Sequence, residues 1–170
     1  MPSKTKNAQS PDGWTLRQLK TIAQYQFGPE FAEALAPDTI QVTFSRATKK
    51  VREVLLDGKR LATLRAQDGL FSLGLEGAKR VLVFVSSPKR RVIIQSDVAE
   101  FIAAGRNVFA KHVVSVDPEI LPEDEVIVVS EEDELLAVGR AKLSASYMLA
   151  FQKGVAVKVR YGIAKGKETI

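Results

Sequence analysis

Five short runs rich in β-branched residues decide the fold of the second half of the chain. They are Arg91-Val-Ile-Ile-Gln95, Val108-Phe-Ala-Lys-His-Val-Val-Ser-Val116, Asp124-Glu-Val-Ile-Val-Val-Ser130, Leu135-Leu-Ala-Val-Gly-Arg-Ala-Lys-Leu143 and Gly154-Val-Ala-Val-Lys-Val-Arg160. Valine and isoleucine favour extended strands, and the Gly, Pro, Asp and Ser residues between the runs favour turns. Several short strands at close spacing are typical of small β-barrels. The sequence therefore predicts a compact β-barrel at residues 88–163.

The apolar residues before the barrel first recur at helical spacing and then alternate with polar residues. Thr15 is predicted to be the N-cap of a helix that reaches Phe27, and residues 30–35 form a second short helix. From Ile40 onward the apolar residues alternate, which predicts four short strands with a hairpin turn at Asp57-Gly58. A third helix is predicted at residues 75–83, although residues 81–85 also fit a strand. Residues 13–87 are therefore predicted to form a small α+β domain.

The segments outside these runs carry local signals. Residues 1–12 are polar and are expected to be a disordered tail, and residues 164–170 are expected to be a C-terminal tail. Within the barrel, Asp97 is predicted to cap a helix at 98–104 that ends at a glycine. Residues 146–151 are predicted to be a helical turn that packs Met148, Leu149 and Phe151 into the core.

The composition excludes several classes of protein. The chain has 170 residues, 45% of them hydrophobic, with no cysteine and one histidine. Disulfides, thiol nucleophiles, thiolate metal sites and histidine clusters are therefore excluded, and no cofactor or metal is predicted. No apolar run approaches the ~20 residues of a membrane span, and the first ten residues are polar. We therefore expect a cytoplasmic protein.

The charges are segregated along the second half of the chain. Nine of its twelve acidic residues fall within residues 117–134, whereas residues 139–167 contain seven basic residues and no acid. Such a domain has an acidic end and a basic face, and a polyanion would bind the basic face.

Four segments of the barrel stand in the order and spacing of a known family. They are Gly105-Arg-Asn-Val-Phe-Ala-Lys111, Pro122-Glu-Asp-Glu-Val126, Leu136-Ala-Val-Gly-Arg-Ala141 and Lys153-Gly-Val-Ala-Val157. On these segments the barrel resembles the PUA domain, an RNA-binding module. The resemblance implies that a strand and a helix bearing glycines flank an RNA groove, and that the acidic segment after Pro122 is structural.

The first domain has a resemblance of its own. It rests on Tyr25-Gln-Phe-Gly28, Leu61-Ala-Thr-Leu-Arg-Ala-Gln-Asp-Gly-Leu-Phe71 and Gly74-Leu-Glu-Gly-Ala-Lys79. These segments are similar to the α+β domain that precedes the PUA domain in archaeosine tRNA-guanine transglycosylases and related archaeosine synthases. The resemblance implies an archaeal protein that binds tRNA, at the acceptor stem and the single-stranded 3′ end.

Charge and resemblance together predict the RNA-binding residues. The set is Lys89, Arg90, Arg91, Gly105, Arg106, Lys111, His112, Gly139, Arg140, Lys142, Lys153, Gly154, Lys158 and Arg160. The same residues also fit purely structural roles. A solvated outer barrel face carries alternating charges, each glycine could serve only a turn or a helix end, and His112 could be partly buried instead of facing RNA.

No catalytic site can be assembled from these residues. The resembled transglycosylases work through a (β/α)₈ barrel of roughly 250 residues with a carboxylate nucleophile and a cysteine-rich zinc site, for which this chain has neither length nor ligands. The pair Asp97 and Glu100 fits a helix N-terminus, the acids at 123–125 fit a solvated loop, and those at 131–134 fix no cation geometry. An enzyme using Glu53 or Asp68 lacks a base and an orienting group.

The sequence thus predicts an RNA-binding protein without catalytic activity, which supports tRNA modification and has RNA, above all tRNA, as its partner. A separate tRNA-modifying catalytic subunit is a further candidate partner. The alternative is a protein-interaction subunit that docks onto such an enzyme or onto a ribosome-associated complex, through the acidic residues 117–134 or the first domain.

Overall fold

The computed structural model describes residues 7–165. The chain divides into two compact units, with the boundary between Val85 and Ser86. The first unit contains helices and a four-stranded sheet, and the second is a nearly closed six-stranded barrel. The α+β class and the barrel are therefore confirmed. None of the helices within residues 7–165 has the length and apolar character to cross a membrane.

The first unit begins with two helices and continues into an antiparallel meander. Its elements are α1 (Gly13–Phe27), α2 (Phe31–Leu35), β1 (Gln41–Phe44), β2 (Val51–Leu56), β3 (Lys59–Leu64), β4 (Phe71–Leu73) and α3 (Leu75–Phe84). The strands lie in the order β1-β2-β3-β4, each antiparallel to its neighbour. Asp57 and Gly58 have φ values of 52° and 77°, as a tight hairpin of this kind requires. The predicted hairpin and third helix are confirmed.

The start of the first unit differs from the prediction. Asp12, and not Thr15, is the N-cap of α1, since its Oδ1 accepts a 2.7 Å hydrogen bond from the Thr15 N–H. Gln9 pairs with Val42 through two backbone hydrogen bonds of 3.0 and 2.8 Å. Residues 7–12 are therefore attached to the unit and are not a free tail. The rest of the predicted tails, residues 1–6 and 166–170, lies outside the described residues.

The second unit winds its strands around one core. Its elements are β5 (Arg91–Ile94), α4 (Ala99–Ala103), β6 (Val108–Phe109), β7 (Val113–Val116), β8 (Glu125–Val129), β9 (Leu135–Ala141), α5 (Ala145–Ala150) and β10 (Val155–Gly162). The strand order is β6-β10-β9-β8-β5-β7, and only the β5–β8 pair is parallel. Val92, Val126, Val128 and Val157 are all fully buried in the barrel core.

Two predicted elements of the barrel are interrupted. The run 108–116 is not one strand, because a 3₁₀ turn at Ala110–His112 separates β6 from β7. These two strands are the edges of the sheet, so the turn carries the chain across the gap in the barrel. Asp97 makes no capping hydrogen bond and lies instead in a 3₁₀ turn at Ser96–Val98 that leads into α4.

Candidate nucleic-acid interface

A buried carboxylate organises the charges on the outer face of β8, β9 and β10. Glu125 is only 1% exposed, and its Oε2 accepts a hydrogen bond of 3.2 Å from Nη1 of Arg160. The Nε of Arg140 lies 3.5 Å from the same oxygen. The strand register causes this arrangement, since Glu125 lies opposite Arg140 and Arg140 lies opposite Lys158. An ionised carboxylate is costly to bury without charged partners, so both arginines have a structural role.

A second carboxylate pairs with another cation of this face, Lys142. Nζ of Lys142 donates a hydrogen bond of 2.8 Å to Oε1 of Glu123, and Nη1 of Arg140 lies 3.6 Å from Oε2. The hydrogen bond from Lys142 holds the pKa of Glu123 below its ordinary value, and the charges of Lys142 and Arg140 add to this effect. Arg140, Lys142 and Arg160 are therefore already paired with carboxylates.

The predicted contacts at the start of the barrel are also engaged. Arg91 is fully buried, and its Nε lies 2.7 Å from Oδ1 of Asp133. It cannot touch RNA directly, so its assignment to the binding set is wrong. Sequence reasoning missed this because an arginine beside two other cations resembles part of a surface cluster. Arg90 lies 3.1 Å from Asp124, and the carbonyl of the half-buried Lys89 accepts a hydrogen bond from Arg91.

Four of the predicted cations remain available. Within residues 7–165 no carboxylate forms an ion pair with them, and all four side chains are exposed. The four are Arg106, Lys111, Lys153 and Lys158.

The register places these four cations along one edge of the sheet. Strand β6 is an edge strand that pairs with β10, with Val155 opposite Phe109 and Val157 opposite Val108. Arg106 precedes β6 and Lys111 follows it, while Lys153 precedes β10 and Lys158 lies within it. We call these four cations and the two strands the β6–β10 edge.

Hydrogen bonds fix both ends of the β6–β10 edge. At one end, the Val159 N–H donates to Oδ1 of Asn107 over 3.0 Å. At the other end, the Ala110 N–H donates to the carbonyl of Gly154 over 2.9 Å. The backbone at Arg106 therefore lies near that at Lys158, and the backbone at Lys111 near that at Lys153, because these residues adjoin the bonded pairs. The arrangement presents two pairs of exposed cations on one sheet edge.

The three predicted groove glycines have different roles. A Cβ at Gly139 would lie 2.2 Å from the carbonyl oxygen of Lys158, so Gly139 is needed for close packing of β9 against β10 and does not face a groove. Gly154 has a φ of 99°, and no described atom lies within 4 Å of the position of a Cβ. Its backbone is open to a ligand, and its conformation also favours glycine. Gly105 has a φ of 100° just after α4, and the side chain of Lys165 lies beside it.

His112 lies in the 3₁₀ turn and not on a strand, in contrast to the prediction. It is half-buried, and its Nδ1 lies 3.3 Å from Oε1 of Gln95. This contact is compatible with partial burial, and a role in RNA binding stays a prediction.

Several of the acidic residues considered for catalysis make structural contacts. Glu53 accepts a hydrogen bond of 3.0 Å from Thr43, and Asp68 lies 3.0 Å from Nη2 of Arg65. Glu131 accepts a hydrogen bond of 2.7 Å from Ser96. Among residues 7–165 no group of three His, Asp or Glu side chains is placed to hold a metal ion. Glu125, predicted to lie in a solvated loop, is instead the buried centre of the ion pairs.

Sequence reasoning missed one exposed feature beside these charges. Tyr147 and Phe151 on and just after α5 stack with ring centroids 5.0 Å apart, and they are 54% and 44% exposed. Phe151 and Leu149 were predicted to pack into the core, and only Met148 does so, at 0% exposure. The i, i+4 spacing of the two aromatic residues was the available signal.

Comparisons with known proteins agree with this architecture. Residues 17–88 match the patch-forming domain C2 of tRNA-guanine transglycosylase, and residues 90–163 match the PUA domain. The tRNA-guanine(15) transglycosylase of Pyrococcus abyssi is 47% identical over 151 residues, covering 89% of this chain and 25% of the relative. That of Methanocaldococcus jannaschii is 38% identical, covering 88% and 23%.

Solved structures share the fold at low identity. A hypothetical protein of Pyrococcus horikoshii aligns with a TM-score of 0.73 at 23% identity, over 92% of this chain and 95% of that one. A conserved PUA domain protein of Thermoplasma acidophilum aligns with a TM-score of 0.62 at 20% identity, over 89% of each chain.

The barrel, the domain in front of it and these matches define a PUA-domain protein. More closely, the chain combines the patch-forming domain C2 with a PUA domain and is homologous to the C-terminal part of the archaeal tRNA-guanine(15) transglycosylases. It spans about a quarter of the length of the curated relatives that it matches.

Proposed function

We propose that the protein binds RNA through the β6–β10 edge. The observation that carries this proposal is the separation of the cations into two groups. Arg140, Lys142 and Arg160 are paired with carboxylates, whereas the edge has four exposed cations without an ion pair in residues 7–165. Unpaired lysine and arginine side chains can replace the counterions of a phosphate backbone, which is the main source of affinity for nucleic acids.

We further propose that the RNA is a tRNA, held at its acceptor stem and 3′ end. Homology to enzymes named for a tRNA substrate supports this choice. An A-form stem hides its bases in a deep, narrow groove, so a row of cations would recognise the shape of its backbone. The open backbone at Gly154 leaves room for close approach of a single strand.

We also propose that the chain itself has no transglycosylase activity. It matches only the C-terminal quarter of the enzymes, and two of the carboxylates considered for catalysis, Glu53 and Asp68, are engaged in structural contacts. The protein would bind tRNA in support of a modification that a separate catalytic subunit performs. Incubating the chain with tRNA and labelled guanine should leave the RNA unlabelled, and incorporation by a preparation free of other proteins would contradict this.

The RNA-binding proposal is tested by the salt dependence of binding. Affinity for a tRNA transcript would be measured by fluorescence polarisation at several salt concentrations. We expect Lys158→Ala to weaken binding and to reduce the slope of log affinity against log salt by about one phosphate contact.

Lys142→Ala is the matched control, since this lysine is already paired with Glu123. It should change the slope much less than Lys158→Ala does. Equal effects of the two variants, with both proteins folded, would remove the β6–β10 edge from the proposal.

A further inference from the structure

Two aromatic side chains form a flat stacking surface next to the charges. The ring planes of Tyr147 and Phe151 are within 11° of parallel, and both rings are about half exposed. A single exposed apolar residue is ordinary on a protein surface. Two stacked rings are less ordinary than a single exposed apolar residue. They hold each other in one orientation and leave an outer π-face to solvent.

The backbone joins this ring pair to one end of the β6–β10 edge. Lys153 follows Phe151 by two residues, and the carbonyl of the next residue, Gly154, accepts the hydrogen bond from Ala110. Helix α5 packs against the 3₁₀ turn that contains Lys111. The two rings, the two lysines and the open glycine backbone therefore belong to one local surface.

The chemistry of this surface suits an unpaired nucleotide better than an apolar protein partner. No carboxylate side chain occurs from residue 139 to residue 165, which includes α5 and both of its flanks. Aromatic rings stack on the faces of bases, and nearby cations contact the phosphates that link them. A purely apolar partner would cover the rings but would leave the charges of Lys111 and Lys153 without a counterpart.

We propose that Tyr147 and Phe151 are a stacking platform for unpaired bases of the bound RNA, with Lys111 and Lys153 on the adjacent phosphates. This inference rests on the RNA binding proposed above and adds a subsite to it. The β6–β10 edge would hold the duplex backbone, and the ring pair would distinguish RNA with a single-stranded end from RNA without one.

The test compares two RNA hairpins that differ only in a four-nucleotide 3′ overhang. The full chain should bind the overhang hairpin more tightly than the blunt one by about tenfold, which is within the range for loss of one base–aromatic stack. The double variant Tyr147→Leu/Phe151→Leu keeps the apolar area and removes the rings. It should bind the blunt hairpin as the wild type does and lose its preference for the overhang.

Leu149→Ala is the control on the same helix. Leu149 is 55% exposed and lies about 200° around the helix from Tyr147, so its truncation should leave the preference unchanged.

A wild type that binds both hairpins equally, or a leucine variant that keeps the preference, would overturn the platform while the duplex-binding proposal stands. A wild type that binds neither hairpin would overturn both. If the leucine variant keeps the preference, and the wild type but not the leucine variant binds a protein, the two rings belong to a protein interface instead.

Discussion

At the scale of single residues, position 139 allows little change. Backbone atoms of β10 occupy the space beside Gly139, with the Lys158 carbonyl oxygen 2.2 Å and the Val159 Cα 2.9 Å from where a Cβ would lie. Neither atom is the end of a flexible side chain, so only a shift of the strand could relieve the clash. The register at this point already contains an irregularity between Val159 and Tyr161. Gly139 therefore allows β9 and β10 to approach closely.

We predict that Gly139→Ala destabilises the barrel much more than Gly154→Ala does. The first change forces two backbones apart and should cost about 3 kcal/mol, and the second imposes a side chain on a φ of 99° in open space and should cost about 1 kcal/mol. Denaturant unfolding measures both. Gly13→Ala, where no described atom lies within 4 Å and the residue begins α1, is the control and should be neutral or slightly stabilising. A Gly139→Ala protein as stable as Gly154→Ala would contradict the packing argument.

A second prediction concerns the ion pair of Glu123. Its pKa is lowered in the folded protein mainly by the hydrogen bond from Lys142, so this pair stabilises the fold above the ordinary pKa of the carboxyl. That contribution is lost as the pH falls through the lowered pKa. Lys142→Met should therefore raise the pKa of Glu123 toward its ordinary value, as followed by carboxyl NMR titration. Lys158→Met removes a cation that forms no ion pair within residues 7–165 and should leave this pKa nearly unchanged. Equal shifts would argue against a specific pair.

At the scale of elements, the first turn of α1 depends on its cap. Oδ1 of Asp12 accepts the Thr15 N–H, and the same hydrogen bond lowers the pKa of Asp12. Asp12→Ala should lower the melting temperature of the first unit by a few degrees, because the first turn loses its cap. The exposed Gln18→Ala on the same helix should have little effect. If Thr15→Val were the more damaging change, Thr15 would be the functional cap, as the sequence alone suggested.

The elements also show how far sequence reasoning reached. The apolar alternation from Ile40 and the runs of valine identified both sheets, because β-branched and apolar runs favour strands even where burial does not alternate, as in β8, which is buried at all five positions. The break at Ala110–His112 left no such mark, since the same residues fit a continuous strand and the turn is imposed by the gap in the barrel. The site was harder to predict. Charge and resemblance named the four cations of the β6–β10 edge, whose role in binding stays a prediction, but could not show that Arg160 lies against Glu125, 35 residues earlier in the sequence.

At the scale of the whole molecule, each unit has a core of its own. Among residues 7–165, the buried members of the barrel core lie between Val92 and Val157, among them Ile94 and Met148, and Val159 and Ile163 pack against them. We predict that residues 86–170 expressed alone unfold in one cooperative transition, measured by circular dichroism and by intrinsic fluorescence of the barrel tyrosines. Non-coincident transitions, or a spectrum without strand content, would show that the barrel needs the first unit to fold.

The gap between β6 and β7 has a consequence for behaviour in concentrated solution. An open sheet edge is a template on which a second chain can add a strand, and long, flat edges therefore promote aggregation. Here β6 contains two residues, with cations before and after it, and the chain turns directly from this edge into the other one. The row of unpaired backbone groups is too short, and too strongly charged at both ends, to template another strand. The same lysines and arginine that we assign to RNA would thus keep a second chain from adding a strand at β6 while no RNA is bound.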